Sequence, residues 1–139
     1  MITAVDTNVL LDVFAADPKF GLASARAVRK CLKEGRVVAC DVVWTETASF
    51  FSTPEMAKKA MLGLGAEFSA IEVDSALLAG FTWKEYRLRG GTRQRVVADF
   101  LIGAHARRQA DRLLTRDRGF YRVYFRELPV VDPSGDTAL

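Results

Sequence analysis

Asp6, Glu46, Asp99 and Asp117 stand apart from the other acids of the chain by where they fall. Asp6 follows directly on the apolar run Ile2-Thr3-Ala4-Val5, and Asp117 comes two residues after Leu113-Leu114-Thr115. Glu46 lies in the helical segment after the apolar run Val37-Val38-Ala39-Cys40. Asp99 sits in Val96-Val97-Ala98-Asp99-Phe100-Leu101-Ile102-Gly103-Ala104, otherwise apolar on both sides, where an uncompensated charge is expensive. If the apolar runs are parallel strands, all four acids converge on one sheet edge. Carboxylates gathered in one pocket repel, so such a site is stable with cations present. Hard oxygen ligands favour Mg²⁺ or Mn²⁺ over zinc. Two such ions ~3.5–4 Å apart activate a water and stabilise the leaving oxygen of an in-line phosphoryl displacement.

Each acid taken singly also has a structural reading. Asp6 suits a helix N-cap, Asp117 a turn before Gly119, Glu46 an exposed helix position and Asp99 a buried arginine partner. The argument rests on the set. The remaining acids read as structural: Asp12 and Asp111 on helix surfaces, Asp41 and Asp74 as caps, Asp132 before a proline.

The complementary half of the chemistry is basic. Lys plus Arg number 20 against 17 Asp plus Glu, a net charge of +3, but the surplus is unevenly spread. Arg87, Arg89, Arg93 and Arg95 crowd around Gly90-Gly91, and Arg116 and Arg118 flank Asp117 within an arginine-rich C-terminal third. A planar guanidinium fits phosphate bidentately, so these six are candidate contacts to a polyanion, RNA above all. Metal-free RNA cleavage usually needs two acid–base groups, typically histidines, and His105 is the single histidine. It reads as a packing or surface residue. Cys31 and Cys40, nine apart, match no metal or redox spacing and read as buried thiols of a reducing cytoplasm.

The elements that must position these residues follow from periodicity. The length of 139 residues suits one domain, 1–139, with a loose tail at 133–139. Strands are expected at 2–5, 37–40, 68–73, 112–115 and 128–131. Helices are expected over the Val9–Phe14 region, 24–33, from Asp41 toward Pro54, and over 55–64, 75–88 and 96–110. Buried strands alternating with helices give an α/β fold: a three-layer α/β/α sandwich on a mostly parallel sheet. Functional groups in such folds gather beyond the carboxyl ends of the strands, near the switch in strand order. No run of 18 apolar residues offers a membrane span, and the N-terminus does not read as a signal peptide, so a cytoplasmic protein without membrane contact is expected.

Val5-Asp6-Thr7-Asn8-Val9-Leu10-Leu11 resembles the opening of a PIN domain. Trp44-Thr45-Glu46, Ala98-Asp99-Phe100-Leu101-Ile102 and Leu114-Thr115-Arg116-Asp117-Arg118-Gly119-Phe120 match that family's later motifs in order and approximate spacing. The compact length and the ending Arg-Gly-Phe-Tyr-Arg-Val-Tyr-Phe resemble VapC-type toxins of toxin–antitoxin pairs. The resemblance implies a Mg²⁺-dependent endoribonuclease, with Mn²⁺ able to substitute, cleaving structured RNA such as tRNA or rRNA. It makes Asp6 and Asp99 the principal metal ligands, with Glu46 and Asp117 completing the site and Asn8 and Thr115 as supporting polar groups. It also implies a homodimer, inhibited by a small antitoxin that inserts a basic side chain among the acids. Two readings stand beside the toxin: a PIN nuclease of RNA processing without antitoxin, and a non-catalytic PIN-like module that binds RNA or protein. A phosphoacceptor domain would need a second acid beside Asp6 and a late lysine, and residues 112–131 contain no Lys.

Overall fold

The computed structural model describes residues 1–92 and 95–135. Among these, five strands form one sheet: β1 (Ile2–Val5), β2 (Arg36–Cys40), β3 (Ala66–Ser69), β4 (Arg112–Leu114) and β5 (Val130–Val131). Their order is β3-β2-β1-β4-β5, and every pairing is parallel. The helices are α1 (Thr7–Phe14), α2 (Gly21–Glu34), α3 (Asp41–Ala48), α4 (Pro54–Leu64), α5 (Val73–Leu88), α6 (Val97–Gln109) and α7 (Arg118–Tyr124). From β1 to β3 the chain steps outward in one direction. It then crosses back over β1 to reach β4. Right-handed connections running in opposite directions place their helices on opposite faces, which is the expected three-layer arrangement. The order switches between β1 and β4, and there Asp6 N–H donates to the carbonyl of Leu114 at 2.9 Å.

Local chemistry explains most boundaries. Thr53 caps α4 through its hydroxyl, Pro54 opens it, and Gly65 closes it in the left-handed conformation at φ 100°. The sheet resumes at once at Ala66, so β3 begins earlier than the expected 68–73. It stops at Ser69 because its partner β2 ends at the paired Cys40. The helix after β2 ends at Ala48, well short of Pro54.

The short helix α7 falls where the periodicity marks no element. Its Phe120 and Tyr124, with Phe125 just beyond, join Tyr86 and Phe100 in a cluster of mostly edge-to-face rings with centroids 5.1–6.5 Å apart. A side chain at Gly103 would come within 2.4 Å of the Phe125 ring, so only glycine lets α6 approach this closely. The cluster therefore fixes α7 against α6. Within the expected tail, residues 136–139 lie outside the described residues, whereas Pro133 is buried and Ser134 is tied to the Asp132 carboxylate.

Asp12 is not a surface acid. Its side chain is 5% exposed and accepts from Arg116 at 2.7 and 3.0 Å and from the Ser24 hydroxyl at 2.8 Å. Arg116 also stacks on Phe20, 3.9 Å from the ring centroid. This one ion pair ties α1 and α2 to the turn after β4. Removing either member strands the other, so Arg116→Ala should cost about 2–3 kcal/mol in denaturant unfolding. Asp12→Ala with Arg116→Ala should cost less than the two single changes added. Additive costs would show that the pair is not coupled.

Candidate active site

Asp6 is the residue at which β1 runs out and α1 begins. The residue is 6% exposed, and the partners of its carboxylate are neutral donors drawn from three parts of the chain. Oδ1 accepts from the Thr7 backbone N–H at 2.7 Å. Oδ2 accepts from the Thr115 hydroxyl at 2.8 Å, the Tyr121 hydroxyl at 3.0 Å and Asn8 Nδ2 at 3.4 Å. Burial pushes the Asp6 carboxyl up to about 6; the Thr115, Tyr121 and Thr7 hydrogen bonds oppose the rise, and the nearby Glu46 charge adds to it.

The other three acids approach from their own elements. Glu46, on α3, accepts from the Thr7 hydroxyl at 2.7 Å, so one threonine joins Asp6 to Glu46. Asp99, in the first turn of α6, accepts from the Val96 N–H at 3.1 Å and so caps its own helix. Burial raises its carboxyl, against the Val96 N–H and the Arg95 charge; the Asp117 charge raises it further. Asp117 receives Arg95 on both oxygens, at 2.5 and 3.3 Å. The buried Tyr121 hydroxyl is held well above its usual value by burial first, then by Asp6, Asp99 and Asp117. Tyr121 is thus bonded to Asp6 and lies in the field of Asp99 and Asp117, with Glu46 tied to Asp6 through Thr7.

The four carboxylates share one edge but do not converge on a point. Among the described residues no three His, Cys, Asp or Glu side chains are close enough together to enclose a metal ion. Each carboxylate has instead taken a donor of its own. Asn8 and Thr115 bond to the turn after β4 and to each other: Asn8 Oδ1 accepts from Arg116 N–H, and the Thr115 hydroxyl oxygen accepts from Asp117 N–H and from Asn8 Nδ2.

The arginines divide. Arg87 is exposed on α5 over the Trp83 ring, and Arg89 pairs with Glu85. Arg95 and Arg116 face inward to Asp117 and Asp12, and Arg118 pairs with Asp132. Arg93 lies outside the described residues. A cavity of about 500 Å³ between α5, α6 and the end of α7 is lined by Leu78, Arg89, Arg107, Tyr124 and Arg126 and by none of the four acids. His105 is buried, bonded to the Ser69 hydroxyl, and burial lowers its pKa. Cys31 and Cys40 are buried thiols.

Thr7 and Tyr121 are the polar groups of the site that the sequence left unmarked. Thr7 lies inside the Asp-Thr-Asn motif, between two residues whose polar side chains are the more obvious candidates. Tyr121 follows Asp117 by four residues, one helical turn, a spacing that signifies only once α7 is seen to be a helix.

With the geometry in place, the family can be assigned. The sequence profile of the PIN domain matches residues 3–126. The chain belongs to the PIN domain family. No curated protein matches it significantly. Solved structures share its fold at low identity. A chain of the VapBC2 complex from Rickettsia felis bound to a promoter DNA fragment superposes with a TM-score of 0.73 at 18% identity, over 95% of this PIN domain and 98% of that chain. VapBC-1 from nontypeable Haemophilus influenzae gives 0.70 at 19% identity, over 96% and 99%. VapC20 of Mycobacterium tuberculosis, a sarcin–ricin loop cleaving toxin, gives 0.61 at 17% identity, over 91% and 98%. Among the described residues of this PIN domain, no helix is long and apolar enough to cross a membrane.

The raised Asp6 pKa has a consequence for stability. The folded state holds its Asp6 proton more tightly than the unfolded chain, so this contribution is greatest below about pH 4 and is lost as pH rises toward 6. Asp6→Asn escapes the loss. In EDTA its stability relative to wild type should rise between pH 4 and 7 by up to roughly 3 kcal/mol and then level off. A difference independent of pH would show that Asp6 ionises normally.

Proposed function

We propose that this chain is a divalent-metal-dependent endoribonuclease and the toxin of a toxin–antitoxin pair. The carrying observation is the acid edge at the β1–β4 switch: four oxygen-ligand side chains in the PIN order, one buried and reluctant to ionise without a cation. The donor set fits a hard divalent ion, Mg²⁺ or in its place Mn²⁺, and offers no nitrogen or sulfur ligand for a softer one. Asp6 and Asp99 would be the principal ligands, with Glu46 and Asp117 completing the set. The chemistry such an ion supplies when bound is activation of water and neutralisation of charge on the phosphodiester.

The chain's own residues do the positioning. Thr115, Tyr121 and Asn8 hold Asp6 by Oδ2, and the Thr7 N–H holds Oδ1. The Thr7 hydroxyl aims Glu46, and the α6 N-terminus aims Asp99. Arg87 and Arg89, with Arg93 and Arg118, are the candidate contacts to flanking phosphates of a structured RNA such as tRNA or rRNA. A small antitoxin, a second copy of the chain and a cytoplasmic setting belong to the same reading. Its support is the likeness to chains of VapBC structures. Val73, Leu77, Phe81 and Leu88 along α5 are large apolar residues left exposed, which supports a face covered by protein.

Purified chain, freed of any partner, should cut cellular RNA into discrete products with Mg²⁺ or Mn²⁺ and not with EDTA. Asp99→Asn keeps an acceptor for the Val96 N–H and should stay folded while losing at least ~100-fold in cleavage rate. Full activity in the folded variant would overturn the proposal.

A further inference from the structure

The shortest polar contact at the acid edge is made to an arginine of the same chain. Arg95 grips both oxygens of Asp117, and its guanidinium lies over the Phe120 ring, 4.4 Å from the centroid. Asp117 and then Asp99 hold the Arg95 charge in place. The residue is thus bonded to one of the four acids and lies in the field of a second, whereas the hydrogen-bond partners of Asp6 are neutral.

We propose that Arg95 is a built-in counter-cation of the acid edge, competing with the divalent ion for Asp117 and leaving that carboxylate when the ion binds. The inference rests on the metal-dependent reading above. A carboxylate already chelating a guanidinium has given up about two of its roughly four lone-pair sites. A guanidinium and a divalent cation on the same carboxylate also repel each other. The contrast with the second ion pair on this side of the fold is informative. Asp12 is 5% exposed beneath Arg116, so that pair is a fixed part of the interior. Arg95 and Asp117 are 32% and 33% exposed, so water and ions reach both partners and either can exchange. Arg95 also precedes α6, one residue before its N-cap Val96, so its side chain can swing out without unwinding a helix.

Competition of this kind has a signature in metal affinity. Calorimetric titration with Mn²⁺ of the full chain, stripped of metal, compares wild type, Arg95→Ala, Asp117→Asn and the double variant. Arg95→Ala should bind Mn²⁺ about 3- to 5-fold more tightly than wild type, the strength of a partly exposed ion pair. In the Asp117→Asn background, removing Arg95 should change the affinity less than 2-fold, roughly, because the contested carboxylate is gone. Arg95→Gln, checked with the others by circular dichroism, provides the comparison if alanine disturbs the fold. Equal or weaker Mn²⁺ binding by a folded Arg95 variant, beside normal binding by wild type, overturns the competition and leaves the metal reading intact. No Mn²⁺ binding by any of the four proteins overturns both.

Discussion

A carboxylate taken out of water at the end of a central strand must be given hydrogen-bond donors, and Asp6 draws them from three separate parts of the chain. The Thr7 N–H and the Asn8 amide come from α1, the Thr115 hydroxyl from the turn after β4, and the Tyr121 hydroxyl from α7. Four donors lower the cost of burial but do not remove it, as the carboxyl held near pH 6 shows. The parallel sheet makes this possible. The parallel pairing of β1 with β4 sets the ends of both strands side by side, at the point where the strand order switches.

Much of the surrounding packing can be understood from that requirement. Tyr121 reaches Asp6 because α7 is pinned by Phe120, Tyr124 and Phe125 against Tyr86 and Phe100. The turn carrying Thr115 and Asp117 is held by Arg116, whose backbone meets Asn8 and whose guanidinium meets Asp12. Asp99 serves twice, as a cap for α6 and as a member of the acid edge. The carboxylates are thereby held on rigid elements along one edge, which is what the proposed cation site requires.

The sequence carried the architecture well because buried parallel strands are continuous apolar runs and the helices between them are long. Three of the candidate acids stand out for a related reason: Asp6 and Asp117 follow strand ends and Asp99 sits in an otherwise apolar helix, whereas Glu46 lies in a mixed helix within two turns of its strand's end. What was not legible depends on tertiary contact. Asp12 has the sequence surroundings of a surface residue, and only the approach of Arg116 and Ser24 makes it an interior one. The seven residues of α7 are too few for periodicity to stand out, which left Tyr121 without a direction. Arg95 read as one of a cluster of basic residues facing a polyanion, because nothing local distinguishes an arginine turned outward from one folded back onto Asp117.

The claim on which the rest depends is that this acid edge is a site for a divalent cation. Anomalous diffraction from crystals of the chain equilibrated with Mn²⁺ tests it most directly. The account predicts a Mn²⁺ peak bonded to the Asp6 and Asp99 carboxylates. Saturating Mn²⁺ with no peak at these acids, and Asp6 still held only by Thr7, Asn8, Thr115 and Tyr121, would contradict it.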